Sequence, residues 1–493
     1  MSFLVIDNGT SQCRAAVVSL QGEIVSESRA PVCIDLHPGS VAEVDTAHIW
    51  RQVCSVIQQE VQKQPGIAFD AVGVSAMLGY VFLDKNSEPL MPAVIWMDNR
   101  AGREAAEILN RITEGELYRR TRRRLTPELL APKLLWLARN RPEVYSRIAK
   151  VIGLKDDIVR RLTGDVQTDV AHLNYSLLYN IETDSLDTVL LEALGIAPSI
   201  FPYSRLACEL AGTITGEASR ATGLKAGTPV IVGSSDGTTA MYGGGALQDG
   251  RAVLVSGTTD VMMMRTPSPP HDPSHALTVN TGMVSGSFLA GGALGLAGGT
   301  VQQMEKLLRT PMEDLEKEIE NLPPGSQGLL FFPGLSGERA PYWRDSFTGG
   351  VIGLTMEHLA QHIFRAVMEG TAFRLLKLRE IMRDNDLSPK ALNVVGGCTR
   401  MDVWNQIRAD VLGLEVNRLP VAEATLLGTA LFCRAAVDSS KPLDELTAEW
   451  ITGGKKYLPN ADATNHYKKL FELFDRFVQN TSKIYEDLKA LQV

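Results

Sequence analysis

The residues of this chain that could do chemistry gather on three turns of small residues, each following an apolar run. Pro229-Val-Ile-Val-Gly-Ser-Ser-Asp236-Gly-Thr-Thr-Ala240 reads as a short buried strand that breaks at Gly233 and presents Asp236 just beyond it. A carboxylate there has two uses: it can cap the helix that the small residues open, or it can accept a proton from a bound hydroxyl. Asp7-Asn-Gly-Thr10-Ser11-Gln12 is the second turn, crowded with backbone donors and hydroxyls. Such a loop can cradle phosphate oxygens while Asp7 holds a magnesium ion through water; the plain alternative is a polar hairpin tip. Ser256-Gly257-Thr258-Thr259 is the third and has a similar composition. Two such loops facing each other could hold phosphate from both sides of a cleft.

The elements that must hold these turns follow from hydrophobic period. Phe3 to Asp7 is a strand, Asn8-Gly9 a hairpin turn, and Arg14 to Leu20 and Glu23 to Ser28 complete an antiparallel meander. Asp45 to Gln64 has helical spacing with Ile49, Trp50, Val53, Val56, Ile57 and Val61 inward, and Ala71 to Ser75 is a further strand. Trp96, Asp98 and Arg100 arrive together near a strand end, a set that suits a polyol: acid and guanidinium for hydroxyls, indole for the carbon chain. The strand, turn and strand around Ser256 echo the opening meander, which predicts two domains of related topology across a cleft. Leu392-Asn-Val-Val-Gly396-Gly397-Cys398 ends a strand in two glycines, where a flat ring such as adenine could approach the backbone. Arg119, Arg120, Arg122, Arg123 and Arg124 read as a solvated helix face with paired acids, Thr168 to Tyr179 as a polar loop, and the chain beyond Asp438 as peripheral helices.

With 493 residues the chain predicts two domains, and 22% charged with 44% hydrophobic residues is the composition of a globular protein. The net charge of −8 argues against general nucleic-acid affinity. Six scattered cysteines, none in a C-x-x-C pair, indicate neither a disulfide framework nor a cysteine zinc site, which fits a reducing cytoplasm. No secretory signal is read at the start, and the uncharged run from Ala276 to Met304 is too rich in glycine for a membrane helix.

On these motifs the chain resembles the FGGY carbohydrate kinases of the actin-like ATPase superfamily, from residue 3 to about residue 440. Asp7-Asn-Gly9-Thr10-Ser11-Gln-Cys-Arg14 is similar to the family's first phosphate motif and Ser256-Gly257-Thr258-Thr259 to its second. Gly396-Gly397-Cys398 with Trp404-Asn405-Gln-Ile-Arg-Ala-Asp410 resembles its adenosine motif. Ala131-Pro-Lys133-Leu-Leu-Trp136 and Gly337-Glu-Arg-Ala-Pro-Tyr-Trp343 fit family blocks too. The resemblance implies an α/β fold of two actin-like (ribonuclease H-like) domains, 1–245 and 246–493, each a mixed five-stranded sheet flanked by helices, with a central cleft. It implies an ATP-dependent kinase of a small sugar with a ketopentose such as xylulose first, gluconate or another sugar acid or polyol as the alternative, and a non-metabolic actin-like ATPase as the rival of another class. Asp236 would be the general base and Asp7 the organiser of Mg2+. Thr10, Ser11, Gln12 and Arg14 would meet the phosphates from one side, and Gly257 and Thr258 from the other. Gly298, Gln302, Gly397 and Cys398 would line the adenosine pocket, and Met77, Leu78, Trp96, Asp98 and Asp236 would surround the sugar. A homodimer is the family expectation. Met77-Leu78-Gly79 departs from the Met-His-Gly of xylulose-type kinases and from the Arg–Glu pair of glycerol kinases, while Asp236-Gly237, Trp343 and Gly291 to Gly298 lean towards the gluconate branch.

Overall fold

A computed structural model of the chain describes residues 2–421, 423–438 and 440–491. Ser2–Asn8 (β1) is buried along its length apart from Ser2, the pattern of a strand whose sheet is covered on both faces. It runs antiparallel to Gln12–Ser19 (β2), which is antiparallel to Ile24–Pro31 (β3). On its other side β1 is parallel to Ala71–Ala76 (β4), and β4 is parallel to Pro229–Ile231 (β5). This mixed sheet, ordered β3-β2-β1-β4-β5, gains Leu210–Thr213 at its edge and the short Ser234–Ser235 (β6) beside β4.

The second half repeats the plan. Arg251–Ser256 (β7) is antiparallel to Thr259–Thr266 (β8), which is antiparallel to Phe288–Leu296 (β9); β7 is parallel to Ala391–Val395 (β10), itself parallel to Glu415–Arg418 (β11). Both sheets therefore contain the expected five-stranded mixed core, and both are longer: Thr278–Asn280 and Lys455–Tyr457 extend the second.

Thr46–Lys63 (α1) is capped by Asp45, whose side chain accepts from the Ala47 amide, and it buries Ile49, Val53, Val56 and Ile57 as its spacing requires. Asp236–Gly243 (α2) and Ala424–Val437 (α4) cross at touching distance. A Cβ on Gly243 would lie 1.8 Å from the Ala424 carbonyl oxygen, and one on Gly428 2.2 Å from that of Thr239, so no larger residue fits either position. α4 also packs on β1 and β4, so a helix late in the chain closes the first sheet. Between them in sequence, Gly298–Leu308 (α3) follows β9.

A further sheet, ordered Asp35–His37, Val41–Val44, Ala93–Ile95, Gly79–Leu83 and Lys150–Gly153, takes its first two strands from the chain between β3 and α1 and the other three from the chain between β4 and Leu210–Thr213, with short helices packed on it. The polar stretch expected as a loop from Thr168 forms instead the strand Gln167–Asp169 and the helix Val170–Asn174. Nor is the end of the chain merely peripheral: Ala461–Asn480 buries Tyr467, Phe471 and Phe474, and Phe332 stacks between Phe474 and Phe477. No helix among the described residues is long and apolar enough to cross a membrane.

Candidate active site

Parallel strands bring their C-terminal ends to one edge of a sheet, and in open α/β sheets that edge is where ligands bind. Asp7 on β1 stands opposite Ser75 on β4, and Ser75 opposite Ser234 on β6. Asp236, first residue of α2, thus emerges at the level of Asp7 with one strand between them. Gly233 makes the break possible: its φ of +69° is left-handed, and a Cβ there would lie 1.9 Å from the Val74 oxygen. Behind the break, the buried Lys155 ammonium donates to the Val232 carbonyl (3.0 Å) and to Asp169 (2.9 Å), and Ser234 Oγ donates to Asp169 (2.8 Å). These supports, absent from the sequence reading, clamp the loop that carries Asp236.

Asp236 does not cap its helix through a distant amide; Ser235 precedes it, and among the described residues Asp236 Oδ1 accepts only from the neighbouring Gly237 amide (2.6 Å). The carboxylate keeps a partial opening to solvent, but the depth of protein around it governs its desolvation. Burial, and then the charge of Asp7, push its carboxyl up to about 7. Asp7 is 2% exposed, and burial raises its pKa against the pull of Arg14, which bonds to its Oδ2. Asp7 Oδ1, both side-chain amide atoms of Asn8 and Ser75 Oγ are buried without a partner among the described residues, which is rare for polar atoms. The oxygens among them, with one fixed carboxylate, are the ligand type that magnesium takes.

The first turn is closed by the Gly9 amide donating to the Gln12 carbonyl (3.0 Å), which leaves the Ser11 and Gln12 side chains exposed. Thr10 Oγ1 accepts from the Trp96 indole at 3.4 Å. Arg14 is held by Asp7 and by Glu423 just ahead of α4, so reaching a phosphate would require it to exchange partners. The second turn joins residues expected to line an adenosine pocket: the Gly298 amide and Cys398 Sγ both donate to the Gly257 carbonyl, at 3.0 and 3.1 Å. A Cβ on Gly298 would lie 2.7 Å from each of those two atoms. Thr258, Gln302 and Gly397 are exposed, and no atom would obstruct a Cβ on Gly397. Arg408, from the adenosine motif, is fully buried and donates to Ser256 Oγ (2.7 Å), a strut under the turn.

Beside Gly237 lies a cavity of about 180 Å³ lined by Leu78, Trp96, Arg123 and Tyr175 on one side and by Met263 and Asn280 on the other. It opens into an outer space of about 880 Å³ that shares Trp96, Arg124, Glu128, Arg339 and Trp343. Of the residues expected around the sugar, Leu78 and Trp96 line this cavity and Met77 and Asp98 do not. Met77 is 1% exposed because it precedes Leu78 where the chain leaves β4 and faces the opposite way, into the core. Asp98 is wholly buried behind Trp96, accepting from the Ala42 amide (2.8 Å), Arg100 Nε (2.8 Å) and Lys133 Nζ (3.1 Å). Burial opposes its ionisation, yet Arg100, Lys133 and that amide hold its carboxyl below the usual range; burial brings Lys133 down to about 8.

The arginine cluster also divides. Arg119 and Arg120 pair with Glu116 on the helix Glu114–Thr121, as a solvated face would. That helix ends at Arg122, left-handed at φ +49°, and the reversal sends Arg122 and Arg123 into the protein, so the expectation of one solvated face fails there. Tyr175, Asn280 and Trp343 join Arg123 at the cavity; only tertiary contact, not spacing, could have assembled them.

The sequence model for the FGGY family of carbohydrate kinases, N-terminal domain, matches residues 2–243, and that for the C-terminal domain matches residues 252–437. The chain is 28% identical to a gluconokinase of Bacillus licheniformis, covering 96% of this chain and 94% of the relative, and 25% identical to a xylulose kinase of Bacillus subtilis (strain 168), covering 99% and 98%. Among solved structures, a ligand-bound xylulose kinase from Lactobacillus acidophilus superposes with a TM-score of 0.94 at 26% identity, covering 99% of both chains. A gluconate kinase from the same organism reaches 0.93 at 26%, covering 99% of this chain and all of the other. With the two domain models spanning most of its length and the two-sheet α/β architecture in place, the chain belongs to the FGGY family of carbohydrate kinases.

Proposed function

We propose that the protein transfers the γ-phosphoryl group of ATP to a hydroxyl of a small open-chain sugar or sugar acid held in the cavity beside Gly237. The observation that carries the reading is Asp236: a partly open carboxylate whose pKa is pushed up to about 7 by the protein around it and by the charge of Asp7, one residue from the cavity wall. A base poised at that value takes the hydroxyl proton as the oxygen attacks, which is the proton transfer that phosphoryl transfer to an alcohol requires. Thr10, Ser11 and Gln12, joined by Arg14 once it exchanges carboxylate for phosphate, face the nucleotide from one half; Gly257 and Thr258 face it from the other. Gly298, Gln302, Gly397 and Cys398 border the adenosine. Magnesium, held through water by Asp7, would neutralise charge on the phosphates. Leu78, Trp96 and Asp236 surround the acceptor, while Asp98 acts from behind by fixing the Trp96 segment through Arg100 and Lys133.

The ketopentose and sugar-acid readings both fit the cavity's size. The direct test is a coupled assay of ADP release with ATP, magnesium and a panel of pentuloses, aldonates and alditols, with the phosphorylated product identified by mass. Phosphate ester on at least one acceptor is expected; vigorous ATP hydrolysis with no ester on any acceptor would refute the kinase reading and favour a non-metabolic ATPase.

A further inference from the structure

The acceptor cavity holds one cation too many. Three guanidiniums, Arg123, Arg124 and Arg339, line it, but only two have acidic partners: Arg124 pairs with Glu114 (2.8 Å) and Arg339 with Glu128. Arg123 is 5% exposed, and among the described residues no carboxylate lies within 4.0 Å of it. Its contacts are neutral acceptors and a ring: Nε and Nη2 donate to Asn174 Oδ1 (3.1 and 2.6 Å), Nη2 also to Asn280 Oδ1, and the guanidinium lies 3.8 Å from the centre of the Tyr175 ring. Nη1 makes no hydrogen bond to the described residues, though it is not among the buried atoms that lack partners. A charge taken out of water without a counter-ion is costly, and one fixed on three sides with its remaining edge towards a cavity is arranged to receive an anion.

Resting on the kinase reading above, we propose that Arg123 binds the carboxylate of the acceptor, so that the preferred substrate is an open-chain sugar acid rather than a neutral ketose. Tyr175 sets the direction. Its ring carries Arg123 on its face, and its hydroxyl lies 3.3 Å from Thr238 Oγ1, two residues along α2 from Asp236. An acid anchored at Arg123 therefore extends its chain along Tyr175 towards Asp236, and the hydroxyl phosphorylated is one remote from the carboxylate. Leu78 and Trp96 cover the carbon chain between them. Burial lowers the pKa of Arg123, a cost that a bound carboxylate would reverse. A neutral sugar leaves that cost in place.

The test compares each aldonate with its own amide, which keeps every hydroxyl and removes only the charge. Binding is measured by titration calorimetry, which needs no transfer, and kcat/KM by the coupled assay. Aldonates should be favoured over amides by roughly 10- to 100-fold in both, the size of a buried charge-assisted pair. The ratio should fall to about one in Arg123→Gln and recover in part in Arg123→Lys, with melting temperatures showing that each variant is folded. Equal use of aldonate and amide by the unmodified enzyme, or a ratio unchanged in Arg123→Gln, overturns the proposal while leaving the kinase intact. Aldonates bound through Arg123 with no acceptor phosphorylated would uphold the anchor and refute the kinase. Should Arg123→Gln not fold, the aldonate-to-amide ratio of the unmodified enzyme decides alone.

Discussion

The value near 7 for Asp236 makes a quantitative demand on the kinetics. Its ordinary value of 3.8 is raised by about three units through burial and the charge of Asp7, so the carboxylate is about one-tenth ionised at pH 6 and about nine-tenths at pH 8. Only the ionised form can take the hydroxyl proton. kcat/KM for the sugar should therefore rise about tenfold between pH 6 and pH 8 on this account alone. ATP also titrates in this range, so the informative quantity is the ratio of unmodified enzyme to Asp236→Asn, in which the nucleotide's own contribution cancels. That ratio should be roughly 10² to 10⁴ at pH 8, shrink about tenfold for each unit below 7, and be flat above 8. The assay is ADP release at saturating magnesium from pH 5.5 to 9, with nucleotide affinity of both proteins measured separately. A ratio below ten at pH 8, or one independent of pH down to 5.5, would refute both the raised value and the choice of base.

The same carboxylate should burden the fold. For a carboxyl raised from 3.8 to about 7, the stabilisation of the neutral form is complete below about pH 4 and is lost as pH rises through 7. Asp236→Asn should accordingly be more stable than the parent by about 2–4 kcal/mol at pH 8 and equal to it near pH 4, as denaturant melts will show. Asp7→Asn should lower turnover by roughly 10²- to 10³-fold and raise the magnesium concentration for half-saturation; an unchanged magnesium curve removes Asp7 from the metal. Because the charge of Asp7 helps hold Asp236 up, its acid limb should also move to lower pH in that variant. Gly298→Ala puts a Cβ 2.7 Å from the Gly257 carbonyl oxygen, a contact no side-chain rotation relieves. It should weaken ATP binding at least tenfold by calorimetry and cost about 1–3 kcal/mol of stability, with sugar binding preserved.

Local signals carried most of the framework. Apolar runs and turn residues marked β1 and β2 to within a residue or two, because a strand between covered faces must be apolar throughout and Asn-Gly closes a tight turn. The three turns around Asp7, Asp236 and Gly257 were readable because each places glycine or small residues immediately after an apolar run, and the repeat of that grammar announced the second sheet. An edge strand such as Lys455–Tyr457 escaped because three residues carry too little period to be told from loop.

What the chain alone determined, then, is the kinase framework: which turns exist, which carboxylates stand on them and in what order. What only the tertiary structure decided is the company each side chain keeps. Asp98 and Arg100 share a motif with Trp96 but spend their charges on each other, Glu43 and Lys133, beneath the cavity. Arg123 sits among four other arginines in sequence, yet of the five it alone lines the cavity beside Gly237 with no acidic partner among the described residues, because the left-handed turn at Arg122 redirects the backbone. Pairing, burial and pKa depend on residues brought from far along the chain, Asn280 and Tyr175 here, and no local pattern encodes distances of that kind.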